Sequence, residues 1–167
     1  MDDLLMPEWI KKIKAENDLE LAKSQANSQR LNVLALKIKH EGPEFWRKLL
    51  KELDHTTRAL SAIGIKGQIS ISNTKAEQCC RVDVQLQVAF PRMTHVNLFY
   101  TPASESIRCY TGDGQASELF FALCPDDVIG LRMEDYSMPV DPEQAAERIV
   151  RGMLTAIKSG ASSATEL

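Results

Sequence analysis

Glu118 and Glu134 are the side chains whose spacing comes closest to acid-base chemistry. On neighbouring predicted strands they fall on one face beside Tyr110, and two close carboxyl groups can divide the roles of general acid and general base. Polar residues on the wet face of a sheet give the same pattern without any chemistry. We therefore interpret both glutamates as solvated, and the sequence predicts no catalytic residue.

The other reactive side chains match no metal-binding or phosphate-binding motif. Gly112 and Gly114 flank an aspartate as in a phosphate loop, but they precede a strand rather than a helix, and Asp-Gly is a common hairpin turn. The histidines lack zinc-site spacing and the cysteines form no CxxC pair, so we expect reduced structural thiols, no metal and no cofactor. These residues are His40, His55, His95, Cys79, Cys80, Cys109 and Cys124.

The most informative surface feature is a row of aromatic and basic side chains on the outer face of the predicted sheet. Large aromatics flanked by guanidinium groups on a wet face need a partner, a cover or a stacking role of their own. We therefore assign the outer face as an interaction surface. Its residues are Phe99, Arg108, Phe120 and Arg132, with Gln87 beyond Phe99 and Tyr110 one step along from Arg108.

Three interpretations of this row stay open. The side chains could simply stack on one another across the strands, which is common in sheets. The face could instead be covered, either by the first helix or by a second subunit, because exposed apolar patches are often contact sites. Finally, Phe99, Tyr110 and Phe120 could stack a ligand or single-stranded nucleic acid, although net acidity and the nearby glutamates weigh against a nucleic acid.

Strict alternation of apolar and polar residues predicts the strands that carry this row. Short runs with a period of two are separated by turn residues, and such short connections are typical of an antiparallel meander. Pairing inward faces with inward faces gives the expected register. It places Val88 opposite Leu98, Leu98 opposite Cys109, Cys109 opposite Leu119, and Leu119 opposite Met133.

Helical periodicity appears on both sides of the strands. Residues 6–40 form one predicted segment, Gly42 and Pro43 end it, and residues 44–63 form a second helix that stops at Gly64. Asp141 is the expected N-cap of a last helix that runs to about Lys158. Within the first segment a loose heptad seam makes a coiled-coil contact with a partner helix feasible. The seam consists of Ala15, Leu19, Ala22, Ala26, Gln29, Val33 and Leu36.

Composition fits a single ordinary domain. The 167 residues are 44% hydrophobic and 26% charged, and the net charge of −3 gives no general attraction to nucleic acid or anionic membranes. The start of the chain lacks the basic and apolar regions of a signal peptide, and no segment approaches membrane-spanning length, so we expect a cytoplasmic protein. The predicted fold is α+β, with a six-strand antiparallel meander sheet packed by N-terminal helices and a C-terminal helix.

This fold divides the chain into an N-terminal helical segment or arm at residues 1–42, an α+β domain at 43–158, and a disordered tail at 159–167. Two functional hypotheses follow. The first is a non-catalytic interaction protein, a homodimer or subunit that uses the first helix and the outer sheet face. The alternative is a small-molecule binding domain, or an enzyme whose sequence carries only weak catalytic signals, with a cavity between the sheet and the helices. That cavity would be lined by Trp46, Tyr100, Phe121 and Met133.

Overall fold

The structure, a computed structural model, describes residues 6–74, 76–88, 91–133 and 138–159. Two helices and six strands make an α+β fold, as predicted. In chain order they are α1 (Glu8–Ala59), a 3₁₀ turn (Leu60–Ile63), β1 (Ile65–Asn73), β2 (Gln78–Leu86), β3 (Arg92–Tyr100), β4 (Ser106–Thr111), β5 (Ala116–Leu123), β6 (Ile129–Arg132) and α2 (Pro142–Ser159).

The six strands form one antiparallel sheet in the order β1-β2-β3-β4-β5-β6, so each strand pairs with its neighbour in sequence. This confirms the predicted meander. Within the observed strands the predicted faces are also correct: Cys80 and Cys109 point into the core, whereas Phe99 and Arg108 are paired on the opposite face. Val88, predicted to face inward, lies beyond the end of β2 and is exposed. Three of the predicted cross-strand pairs are found: Leu98 lies opposite Cys109, Phe99 opposite Arg108, and Phe120 opposite Arg132.

The predicted pairing of Val88 with Leu98 is wrong. Leu98 pairs with Cys80, because β2 already ends at Leu86 and β3 begins at Arg92. Gln87 therefore follows the end of β2 and is not a neighbour of Phe99, whose partner on that side is Cys79.

The predicted pairing of Cys109 with Leu119 is wrong by two residues. Cys109 pairs with Ser117, and Leu119 pairs with Ile107. The turn between β4 and β5 is closed by a hydrogen bond from the amide of Thr111 to the carbonyl of Gln115, which sets the observed register. A shift of two residues keeps every side chain on its face, so the core is unchanged while the outer neighbours differ.

The N-terminal region is one helix, not two. The predicted stop at Gly42 and Pro43 is wrong, since α1 continues through both residues to Ala59. Gly42 is instead a contact residue, buried against the hydroxyl of Tyr100. Gly64 does terminate the helical region as predicted, because it adopts a left-handed φ of 72° after the 3₁₀ turn.

The core lies on the inner face of the sheet, between the sheet and apolar side chains of α1 and α2. The largest contributors from α1 follow helical spacing, as the sequence predicts. Asp141 caps α2, where its carboxylate accepts a hydrogen bond from the amide of Gln144 at 2.8 Å. The buried helical side chains include Ile38, Phe45, Trp46, Leu49, Leu53, Ile149, Val150, Met153 and Ile157.

The chain divides into two compact units, one up to Leu36 and one that begins at Lys37. The described part of the first unit is helical from Glu8, and none of its described residues is buried. Ser159 is the last residue of α2, and the remainder of the predicted tail, 160–167, lies outside the described residues.

Candidate functional site

The outer face of the sheet carries an open groove with a volume of about 310 Å³. Its walls come from Glu77, which directly precedes β2, and from the outward-facing side chains of the neighbouring strands β3 and β4. Three of the predicted interaction residues are gathered here. The lining residues are Glu77, Asn97, Phe99, Arg108 and Tyr110.

Arg108 is the central side chain of this groove. Its guanidinium lies 5.7 Å from the centroid of the Phe99 ring, and it donates a hydrogen bond to the carboxylate of Glu77. The Phe99 and Tyr110 rings meet edge to face, with centroids 5.5 Å apart. The arginine is therefore held by a carboxylate on one side and an aromatic face on the other, which fixes a planar, polar platform on the sheet.

Phe120 and Arg132 form a separate patch. The prediction that Phe120 lies beside Arg108 is wrong, because Phe120 is opposite Ser106 and Glu118 is opposite Arg108. Phe120 remains 49% exposed and pairs with Arg132 on β6. The predicted row is therefore divided into two adjoining patches on one face, one around Phe99 and Arg108 and the other around Phe120 and Arg132. The polar residue Glu118 lies next to the patch around Arg108.

The charges in the groove balance. Glu77 neutralises Arg108, and Glu118 lies across from the same arginine, so the site offers no accumulated positive potential to a phosphate backbone. Burial and the charge of Glu77 raise the pKa of the half-buried Cys79 thiol beside Phe99, which makes it a poor nucleophile at neutral pH.

Sequence reasoning missed two groove residues. Glu77 was not assigned, because the alternation of polar and apolar residues is clear only from Arg81 onward, whereas β2 begins at Gln78. Asn97 alternates with the core residues Val96 and Leu98 and therefore lies on the outer face, but a lone amide there carries no functional signal of its own. Only the true register, which brings Cys79 beside Phe99, places Glu77 within reach of Arg108.

Three of the predicted cavity residues come together in the core. Trp46 stacks on Tyr100 with ring centroids 5.4 Å apart, and Tyr100 meets Phe121 at 6.3 Å. Burial raises the pKa of the Tyr100 phenol. The indole N–H of Trp46 is buried and has no hydrogen-bond partner among the described residues. Met133 is half-buried just after β6.

A second exposed surface lies on α1. Within residues 8–36 the large apolar side chains are in contact with solvent, and several belong to the predicted heptad seam. A soluble helix normally hides such side chains against another element. The exposed residues are Trp9, Ile13, Leu19, Leu21, Leu31, Val33 and Leu36.

The remaining sequence hypotheses concern chemistry. Glu134 lies outside the described residues, so the structure gives no geometry for its pair with Glu118. In the part of the chain that is described, no three His, Cys, Asp or Glu side chains gather to hold a metal ion.

No helix among the described residues combines the length and apolar character needed to cross a membrane.

Comparison of the chain with protein-family models, with curated proteins and with solved structures finds no match.

Proposed function

We propose that this protein is a non-catalytic interaction domain of the cytoplasm that assembles with a protein partner, most simply as a dimer. The contact surfaces are the first part of α1 and the outer face of the sheet. Among the described residues, neither surface brings together the nucleophile, base and orienting group that catalysis requires. Both surfaces present aromatic or aliphatic side chains to solvent beside charged residues, a composition typical of protein contacts.

The exposed helix at residues 8–36 is the observation that supports this function most directly. Helices in proteins are stabilised mainly by packing of an apolar face, and none of the described residues in this stretch is buried. Covering one large aliphatic side chain contributes about 1.5 to 3 kcal/mol. A partner that covers even three or four of the exposed side chains would therefore stabilise the helix substantially.

The outer sheet groove supports the same function from a different element. Tyr110 is 37% exposed and Phe120 is 49% exposed, and aromatic residues with an adjacent arginine are enriched at the centres of protein interfaces. The Arg108 guanidinium is already oriented by Glu77 and Phe99, so little side-chain entropy would be lost when a partner docks.

Light scattering of the intact chain over a range of concentrations tests this function. We expect a mass above that of one chain, and we expect it to fall when Leu19→Ser is combined with Leu36→Ser, or Phe99→Ser with Phe120→Ser. Ile63→Ser is the matched control, because Ile63 is 67% exposed but belongs to neither surface. Circular dichroism establishes that each variant is folded. A monomer at every concentration that also captures no protein partner would end the proposal.

A small-molecule binding domain is the alternative function. It is favoured by the indole N–H of Trp46, which is buried and has no hydrogen-bond partner in the described part of the chain. An unsatisfied buried donor is costly, and a ligand with a carbonyl oxygen at this point would remove the cost. Thermal shifts across a metabolite panel test this. A shift that is present in the natural chain and lost in Trp46→Phe would support the alternative, whereas no shift with any compound would count against it.

A further inference from the structure

We propose that the partner of the exposed helix is a second copy of this chain, and that the two helices pair in parallel and in register over residues 15–36. This inference rests on the function proposed above, because it names the partner of one of its two surfaces. Three observations carry it: the heptad spacing of exposed apolar residues, a single glutamine within that seam, and the signs of the charges beside it.

The spacing of the seam defines the positions of a heptad. The steps alternate between four and three residues, which places Leu19 and Val33 at a positions and Leu36 at a d position. These three side chains are all exposed, with 55%, 46% and 61% of their surfaces in solvent. Alanines occupy most of the remaining seam positions and let two helices approach closely. A parallel, in-register pair places each residue against its own copy, so large side chains meet large ones.

Gln29 occupies a d position in the middle of this seam. In a parallel, in-register pair its amide meets the amide of the second copy, and each can donate to the other. An antiparallel pair would place Gln29 against Leu19 or Ala26 of the second copy and would leave the amide without a partner. A single polar residue in a coiled-coil seam specifies register and orientation in this way, at some expense of stability.

The charges that flank the seam favour the same arrangement. In a parallel pair, each g position faces the e position five residues further along the second helix. Asp18 at g then faces Lys23 at e, and Lys11 at g faces Glu16 at e. Both contacts join opposite charges, and symmetry repeats each of them on the other side of the pair.

Antiparallel helices would bring e positions of the two copies together. Lys23 would then face either its own copy or Arg30, both of which carry the same charge. The repulsion at Lys23 would offset the attraction of Glu16 for Arg30 or Lys37 in the same registers, and the attraction between Asp18 and Lys23 would be lost. The parallel arrangement is the one in which the seam, the glutamine and the flanking charges all agree.

Self-cross-linking of the full-length chain tests the arrangement. Ala15→Cys and Leu36→Cys are made separately and oxidised, and dimers are counted on non-reducing gels. A parallel pair predicts that each variant cross-links to its own copy. Positions 15 and 36 are about 32 Å apart along a helix, so antiparallel helices could join at most one of the two positions to itself and never both. The unsubstituted chain controls for the native cysteines, and Glu20→Cys, on the far side of the helix from the seam, controls for chance collisions.

Charge exchange provides a second, independent measurement. Lys23→Glu should weaken self-association about ten-fold, because it turns two attractive contacts into repulsive ones. Adding Asp18→Lys to that variant should restore association, since the opposite signs again face each other. Lys14→Glu makes the same change in charge at an outward c position and should leave association near that of the natural chain.

The outcomes separate this inference from the function on which it rests. Self-cross-linking at both ends together with rescue by charge exchange supports the parallel pair. A dimer by light scattering without self-cross-linking, or without rescue, would overturn the parallel pair and leave the interaction function standing. A monomer with no protein partner would overturn both.

Discussion

The hydroxyl of Tyr100 lies so close to Gly42 that a Cβ atom on that glycine would be 2.8 Å from it. Tyr100 cannot easily withdraw, because its side chain is fully buried and its ring stacks on Trp46. We expect Gly42→Ala to destabilise the protein by about 1 to 3 kcal/mol, although alanine is the better helix former. The free energy of unfolding in urea measures this loss.

Gly152→Ala in α2 is the matched control for this change. Gly152 is also helical, but a Cβ atom there would have no neighbour within 4 Å. The alanine should therefore stabilise the protein by about 0.5 to 1 kcal/mol. Equal effects at the two glycines would contradict the idea that contact with Tyr100 selects glycine at position 42.

Replacement of Pro43 by alanine should stabilise α1. Proline in a helix interior has no amide to donate to the carbonyl four residues earlier, and its ring crowds that carbonyl. Part of this gain is lost, because proline also lowers the conformational entropy of the unfolded chain. We therefore expect Pro43→Ala to raise the free energy of unfolding by about 1 to 2 kcal/mol. Urea unfolding measures it, and Pro7→Ala, before the first residue of α1, should change little. A loss at position 43 would show that the core requires the local geometry of proline.

Removal of the N-cap of α2 should weaken the domain. The carboxylate of Asp141 satisfies the amide of Gln144, which has no partner within the helix. We expect Asp141→Ala to cost about 1 kcal/mol, whereas Asp141→Asn keeps an acceptor oxygen and should cost less. Thermal and urea unfolding of both variants provide the comparison. If asparagine proved as damaging as alanine, the hydrogen bond would not be the stabilising feature.

The stability of the protein should fall at alkaline pH because of Cys80. Burial raises the pKa of this thiol to about 12, with a smaller contribution from Cys79, whereas a thiol in an unfolded chain has a pKa of about 8.5. Above pH 8.5 the unfolded chain therefore loses a proton that the folded chain keeps. The contribution of Cys80 is constant below that pH and is lost progressively as the pH rises toward 12.

Urea unfolding between pH 7 and pH 10.5 measures this dependence. We expect the free energy of unfolding to decline less steeply with pH in Cys80→Ala than in the natural chain. The slopes against pH are compared rather than the absolute values, because removal of a buried thiol also changes stability at every pH. Identical slopes would show that other groups, such as the buried phenol of Tyr100, account for the alkaline loss.

The faces of the strands could be predicted from sequence, whereas their neighbours could not. Alternation of apolar and polar residues assigns Cys109 to the core and Arg108 to the outer face whatever the register. The pairings depend on where each turn is centred, and a shift of two residues at one turn moved Phe120 from Arg108 to Ser106. Because face patterns repeat every two residues, the sequence contains no signal that would have revealed that shift.

The continuity of α1 through Gly42 and Pro43 also could not be predicted from local sequence rules. Glycine followed by proline usually ends a helix, and that rule ignores what packs on the helix. Here Gly42 provides the space for Tyr100, a residue nearly sixty positions away that only the folded sheet brings close. Glu77 in the groove was missed for a similar reason, since its partner Arg108 is distant in sequence.

Every strand of the sheet pairs with a strand adjacent to it in the chain, through connections of four or five residues. Closing such short loops has a small entropic cost, so the hairpins can form one after another during synthesis. The inner face is different, because part of its cover comes from α2, which follows all six strands. On the ribosome, the nascent sheet therefore exposes an apolar surface until α2 has emerged, and this is the interval in which the chain most needs protection from aggregation.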